Sequence, residues 1–234
     1  MRSASGTASW KGRTGRSPPD MSSKPFHETL QERHREILER AVRHRFWTDL
    51  EAGRLSDPQL LLWLGQEYHH ARVIERFVVL LASRAPESLR RQFTKTLLHV
   101  HEGIERFEEA TSGVDLNLRA ARVSLGTHAF NSFLLATAET RSFEPTVAAY
   151  YVNSYCFFHG WSRAVGGGDR SPLRNTLQAL LGEPVYKDWV GGLESAVDEA
   201  AVSEADKAEM LTIVPVAIEF QTGHWDGIYE ELFA

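Results

Sequence analysis

The sequence predicts an all-α protein of about seven or eight packed helices, and three observations carry that reading. From Pro25 onward apolar residues recur at helical spacing, and no segment alternates with the period of a strand. Helix-start signals punctuate the chain, of which Ser56-Asp57-Pro58-Gln59 is the clearest. A hydrophobic content of 42% and an aromatic content of 10% over 234 residues are enough to bury the core of one domain. Amphipathic helices cover their apolar stripes with one another, so a bundle follows.

Residues 1–22 begin MRSASGTASWKGRTGRSPPD, rich in Ser, Gly, Pro and Arg with one acidic residue at the end. Such a segment buries too little apolar surface to order itself, which predicts a disordered N-terminal extension. It lacks the apolar stretch of a secretory signal, shares an acid-poor, Arg- and Ser-rich character with organelle transit peptides, and carries Met21 where a shorter chain could begin. Residues 23–234 are expected to form a single helical domain. Ser56 opens a helix running to about Arg84, with Gln59 placed to complete a capping box. The next opens near Pro86 and ends at Thr111-Ser112-Gly113, where Gly113 supplies a left-handed cap. Further helices are expected over about residues 115–141 and 144–165, followed by Gly166-Gly167-Gly168 as a hinge or plain loop. A short pair follows between Pro172 and Val202 around Gly182-Glu183-Pro184. The last helix begins at Ser203, is expected to kink at Pro215 and reaches Leu232.

The formal net charge of −5 with both signs interspersed provides no basic face for nucleic acid. One cysteine excludes an internal disulfide framework, and no apolar run approaches the length of a membrane span. The composition therefore predicts a soluble cytoplasmic protein with no nucleic-acid or membrane partner.

Polar groups on inward faces point to function. On a wheel of 100° per residue, Leu60, Trp63, Leu64, Ala71, Ile74, Val78 and Leu81 share one arc. Glu67 falls in the middle of it and His70 at its edge, while His69, Arg72 and Arg76 fall on the solvated side; His99 also reads as solvent-facing. A carboxylate facing inward requires donors, so Glu67 implies either a polar pocket or a structural hydrogen-bond network. TVAAYYVNSYCFFHGW is apolar almost all round, marking a central helix, and Asn153 and Ser154 interrupt it. Asn153 offers a donor and an acceptor, suited to reading the edge of a heteroaromatic ring or to tying helices together. Cys156 reads as inert packing rather than a nucleophile. In the last helix the inward stripe is Leu211, Val214, Ile218, Gln221, Trp225, Tyr229 and Leu232, with Gln221 its polar member and Glu219 turned away. Three helices thus each place a polar group among apolar neighbours, the composition of a small-molecule pocket.

The segment HRFWTDLEAGRLSDPQLLLWLGQEYHHARVIERFVVLLA, with PVYKDWV and the closing HWDGIYEE, resembles the TenA (thiaminase II) and pyrroloquinoline-quinone synthase superfamily over about residues 26–233. The resemblance implies a heme-oxygenase-like fold. It places Glu67 where TenA proteins hold the aminopyrimidine with an aspartate, and His70 where they carry a tyrosine. It places Asn153 at the nucleophilic cysteine, Phe157 at the following tyrosine and Gln221 at the catalytic glutamate. Cysteine-dependent thiamin hydrolysis is therefore not expected.

The resemblance implies action on a small heteroaromatic metabolite, first a thiamin-related aminopyrimidine, by a cysteine-independent hydrolysis. Glu67 and His70 are the expected catalytic pair, with Tyr68, Asn153, Phe157, Gln221 and Trp225 around the ligand; neither a cofactor nor a metal is expected, and a homo-oligomer is. Two alternatives stand. Glu67-x-x-His70 has the spacing of di-iron carboxylate helices, with His101, His128, His159 and His224 available, but Ala217 and Gln221 occupy two expected ligand positions of the last helix. A non-catalytic metabolite-binding protein would also retain a polar-lined pocket without a nucleophile.

Overall fold

The computed structural model describes residues 24–112, 117–164, 173, 175 and 183–233. Nine α-helices lie among them: α1 Phe26–Arg33, α2 Arg35–Val42, α3 Arg45–Glu51, α4 Asp57–Arg84, α5 Glu87–Thr111, α6 Leu125–Thr140, α7 Phe143–Ala164, α8 Glu183–Ala200 and α9 Glu204–Leu232. A single 3-10 turn spans Leu118–Ala120, and no strand is present among the described residues. The extension over 1–22, the Gly113 cap, the triple-glycine segment and most of the first helix of the expected pair after Pro172 lie outside the described residues. The second helix of that pair is α8, which starts at Glu183, so Glu183 and Pro184 open a helix in place of the expected loop.

The bundle is organised around α7 and α9. α9 packs on α6 and α7, α4 on α5 and α6, and α7 also carries α2, α3 and α8. α7 is buried without interruption from Pro145 to Ser154, as its apolar composition requires of a central helix. α4 opens as its cap predicts: Gln59 Oε1 accepts from the Ser56 backbone N–H at 2.9 Å. Gln59 Nε2 also donates 2.7 Å to the Leu232 carbonyl, tying the start of α4 to the end of α9. α9 begins with a matching reciprocal pair, Asp206 N–H to Ser203 Oγ and Ser203 N–H to Asp206 Oδ2, and continues as one helix through Pro215.

α6 starts at Leu125, ten residues later than its expected start. The backbone of the preceding segment is instead held by α4: Gln66 Nε2 donates to Arg122 O at 2.7 Å, and Gln66 Oε1 accepts from Ser124 N–H at 2.9 Å. His69 Nε2 lies 2.9 Å from Ala121 O, so this histidine is half-buried against the segment rather than solvated. Gly65 makes the approach possible, since a Cβ there would lie 2.8 Å from the Ala121 Cβ. His99 is likewise half-buried, beside the Trp189 ring, where burial lowers its pKa. At the other end of α6, Arg84 donates to the carbonyls of Glu139 and Arg141 at 2.8 and 2.7 Å, satisfying groups that a helix terminus leaves without intrahelical partners. Among the described residues no helix is long and apolar enough to cross a membrane.

Candidate functional site

Four helices converge on one polar cluster inside an aromatic shell. Glu67, from the middle of α4, has 12% of its side chain exposed. Its Oε1 accepts from Trp63 Nε1–H at 3.1 Å, one turn earlier on the same helix, and lies 3.4 Å from His224 Nε2 of α9. Both contacts fall on the same oxygen. Oε2 has no partner among the described residues.

His70, one turn further along α4, places Nδ1 2.7 Å from Asn131 Oδ1 of α6. A carbonyl oxygen only accepts, so Nδ1 carries the proton in this arrangement. The ring stacks on Phe130 at 5.2 Å and lies 5.5 Å from His224. Burial pushes the His70 pKa below the usual histidine range; the neighbouring His224 adds to this, while Glu67, Asn131 and Asn153 oppose it.

Asn153 of α7 and Gln221 of α9 complete the cluster. Gln221 Nε2 donates to Asn153 O and Oδ1 at 3.0 and 3.1 Å. Gln221 is 1% exposed, yet its Oε1 has no hydrogen-bond partner. Beneath His224, Nδ1 meets Thr127 Oγ1 at 3.0 Å, and Thr127 Oγ1 accepts from Ser124 Oγ–H at 2.8 Å. Around these groups stand Trp47, Trp63, Phe157, Trp161 and Trp225, with Trp47 and Trp225 centroids 4.5 Å apart, Trp63 and Trp161 at 5.8 Å, and Phe157 6.4 Å from Trp225.

Of the residues singled out in the sequence, the structure brings Glu67, His70, Asn153 and Gln221 together, with Phe157 and Trp225 in the surrounding shell. Tyr68 is not with them. It is buried and turned toward α5, where its hydroxyl donates 2.6 Å to Glu108, which Arg119 also contacts at 3.0 Å. The adjacent position on a helix points 100° away, and Tyr68 follows that geometry. Cys156 is fully buried, and burial pushes its thiol up to about 12, which leaves no thiolate near neutrality.

Three members of the cluster are not singled out by the sequence, Ser124, Thr127 and Asn131, and His224 is named there only as an available metal ligand. Thr127 and Asn131 carried a usable signal, being polar and one turn apart on the inward face of an otherwise apolar helix. Of the four histidines available as metal ligands, His224 joins Glu67 and His70, and the other three are dispersed. His101 pairs with Glu75 at 2.7 Å on the outer surface, His128 is exposed, and His159 lies against Tyr155. Among the described residues no three or more His, Cys, Asp or Glu are grouped as metal ligands.

The sign of the histidine shifts sets a pH dependence. His70, His34, His44, His99 and His159 all have folded pKa values below the unfolded one. The folded state then binds fewer protons than the unfolded chain, so stability rises with pH. Their contribution is complete above the unfolded value of about 6.5 and is lost as pH falls below it through the folded values. Thermal unfolding is expected at a lower temperature at pH 5.5 than at pH 7.5, with a smaller difference in His70→Gln.

Residues 31–213 match the TENA/THI-4/PQQC family. Among solved structures, a TenA homologue from Pyrococcus furiosus superposes with a TM-score of 0.80 at 20% identity, covering 87% of this chain and 100% of that one. A protein provisionally described as a TenA-like thiaminase, from Sulfolobus solfataricus, gives 0.73 at 18% identity, with coverage of 88% and 96%. A domain of unknown function with a heme oxygenase-like fold, from Shewanella denitrificans, gives 0.69 at 10% identity, with coverage of 88% and 92%. No curated protein matches the chain. The likenesses establish a heme-oxygenase-like fold, and the match over most of the sequence shows that the chain belongs to the TENA/THI-4/PQQC family.

Proposed function

We propose that the protein binds a small heteroaromatic metabolite carrying N–H donors, first a thiamin-related aminopyrimidine, and hydrolyses it without a covalent cysteine intermediate. The observation that carries this reading is a pair of acceptors without donors: Oε2 of Glu67 and the buried Oε1 of Gln221. A buried acceptor left without a donor is costly, on the order of 1–3 kcal/mol, so the arrangement favours a ligand that supplies N–H groups. Exocyclic amines on a flat ring do so, and an aromatic shell suits the ring itself. TenA likeness in sequence and in fold points to the same ligand class.

The chemistry falls to Glu67. Water attacks the carbon bearing the leaving group, Glu67 Oε2 takes the water proton, the bond to the leaving group breaks, and an amine leaving group receives that proton from Glu67. Trp63 and His224 hold Oε1 and leave Oε2 toward the ligand. Asn153 orients Gln221 through its two hydrogen bonds and offers no nucleophile, in keeping with a buried, protonated Cys156 one turn away.

The test is incubation of the protein with thiamin and with 5-substituted 4-aminopyrimidines, followed by chromatography and by thermal unfolding with each compound. A released pyrimidine alcohol and a raised unfolding temperature are expected, since a ligand of the native state stabilises it. Stabilisation without product would instead identify a binding protein, and the absence of both product and stabilisation would rule out this ligand class.

A further inference from the structure

The helix α6 joins the cluster through hydroxyl groups that the hydrolysis does not itself require. Ser124 caps α6, its Oγ accepting from Thr127 N–H at 3.0 Å, and its own hydroxyl donates to Thr127 Oγ1 at 2.8 Å. Thr127 is fully buried, and with its Oγ1 accepting from the Ser124 hydroxyl, its own proton is directed to His224 Nδ1 at 3.0 Å. Nδ1 is then the bare nitrogen, and Nε2 carries the proton at 3.4 Å from Glu67 Oε1. Every donor in this series points the same way, from Ser124 toward Glu67.

Its outer end meets the surface. A groove of about 620 Å³ runs between the start of α6 and the second half of α9, and Ser124, Gly126, Gly223 and Gly227 are among its lining. Ser124 is only 1% exposed, but the wall beside it is made by glycines: a Cβ on Gly227 would lie 3.5 Å from Ser124 Oγ. Where side chains are missing, the hydroxyl lies directly behind backbone.

We propose that Ser124, Thr127 and His224 form a proton route between this groove and Glu67, a proposal that rests on Glu67 acting as acid and base. Apart from the proton that it passes from water to the leaving group, Glu67 exchanges one with solvent by this route, and on that path it receives the proton on His224 Nε2. His224 takes the Thr127 hydroxyl proton on Nδ1, Thr127 takes that of Ser124, and Ser124 takes one from solvent in the groove. Each relay group loses one proton and gains one, and the reverse sequence returns the charge to Glu67 and the first tautomer to His224. The titratable groups facing His224 are Glu67 and His70 from α4 and His44 from the start of α3. Ser124 and Thr127 act through His224 and are positioning residues.

Nitrogen-15 NMR of histidine side chains in the full-length protein tests the route without any turnover assay, the His224 signals being assigned by their loss in His224→Asn. The route predicts a protonated Nε2 and a bare Nδ1 at neutral pH. It also predicts that exchange of the Nε2 proton with solvent slows at least about tenfold in Thr127→Val and Ser124→Ala, while Thr127→Ser, which keeps the hydroxyl, exchanges at the wild-type rate. A proton on Nδ1 in the wild type, or equal exchange in Thr127→Val, would overturn it. If hydrolysis is absent while the NMR pattern holds, the functional reading fails and the relay stands.

Discussion

Glu67→Gln is expected to lower aminopyrimidine turnover by about 10²- to 10⁴-fold while leaving the fold intact. The amide oxygen of glutamine replaces Oε1 as the acceptor for the Trp63 indole and faces His224 as the carboxylate did, so the held side of the group is preserved. The free side is not. An amide nitrogen stands where Oε2 stood, a donor in place of an acceptor, and it cannot take a proton from water. Loss of turnover with an unfolding temperature close to the wild type, measured by calorimetry alongside product formation, is the expected pairing. A glutamine variant with undiminished turnover would remove Glu67 from the chemistry.

The second large effect concerns the scaffold. Gly126→Ala is expected to destabilise the protein by about 3 kcal/mol or more, because added volume between two packed backbones has nowhere to go. A Cβ at Gly126 would overlap the carbonyl oxygen of Gly223 and press on the Cα of Gly227, so α6 and α9 would have to separate. Relief by side-chain rotation is impossible when the obstacle is main chain. For a domain of this size the loss corresponds to a fall of roughly 10 °C in Tm. The separation would also lengthen the contact between Thr127 and His224, so any ligand binding at Glu67 should weaken in parallel. Gly223→Ala is the control, since a Cβ there meets nothing within 4 Å.

What could be read in the sequence follows from how each residue declares itself. Glu67, Asn153 and Gln221 stand out because a polar group centred on an apolar arc is conspicuous on a helical wheel; Asn153 and Gln221 do meet, and His70 lies between Asn153 and Glu67. The wheel fails for residues defined by a partner. The family likeness sets Tyr68 beside the ligand, yet Glu108 of α5 claims its hydroxyl, a pairing across 40 residues that no local pattern contains. The wheel likewise turns His69 to solvent, yet the 121–124 segment lies across it.

The start of α6 was legible only in part. Residues 115–124 have helical propensity, but Gln66 and His69 take their backbone groups and Gly65 admits the chain, a tertiary override of local preference. A helix that begins near residue 115 gives Ser124 no meaning as a cap and hides the hydroxyl series leading to His224. His224 itself was visible only as the survivor of a metal-ligand pattern. In the fold it is a hydrogen-bonding group held between Thr127 and Glu67.

The central claim is that Glu67 faces a ligand with its free oxygen. Equilibrium titration of a 4-aminopyrimidine into the wild-type protein and into Glu67→Gln tests it most directly. The account predicts saturable binding by the wild type and affinity at least about tenfold weaker in the variant, the loss expected when a charge-assisted hydrogen bond is replaced by two facing donors. Equal affinity in the two proteins would contradict it.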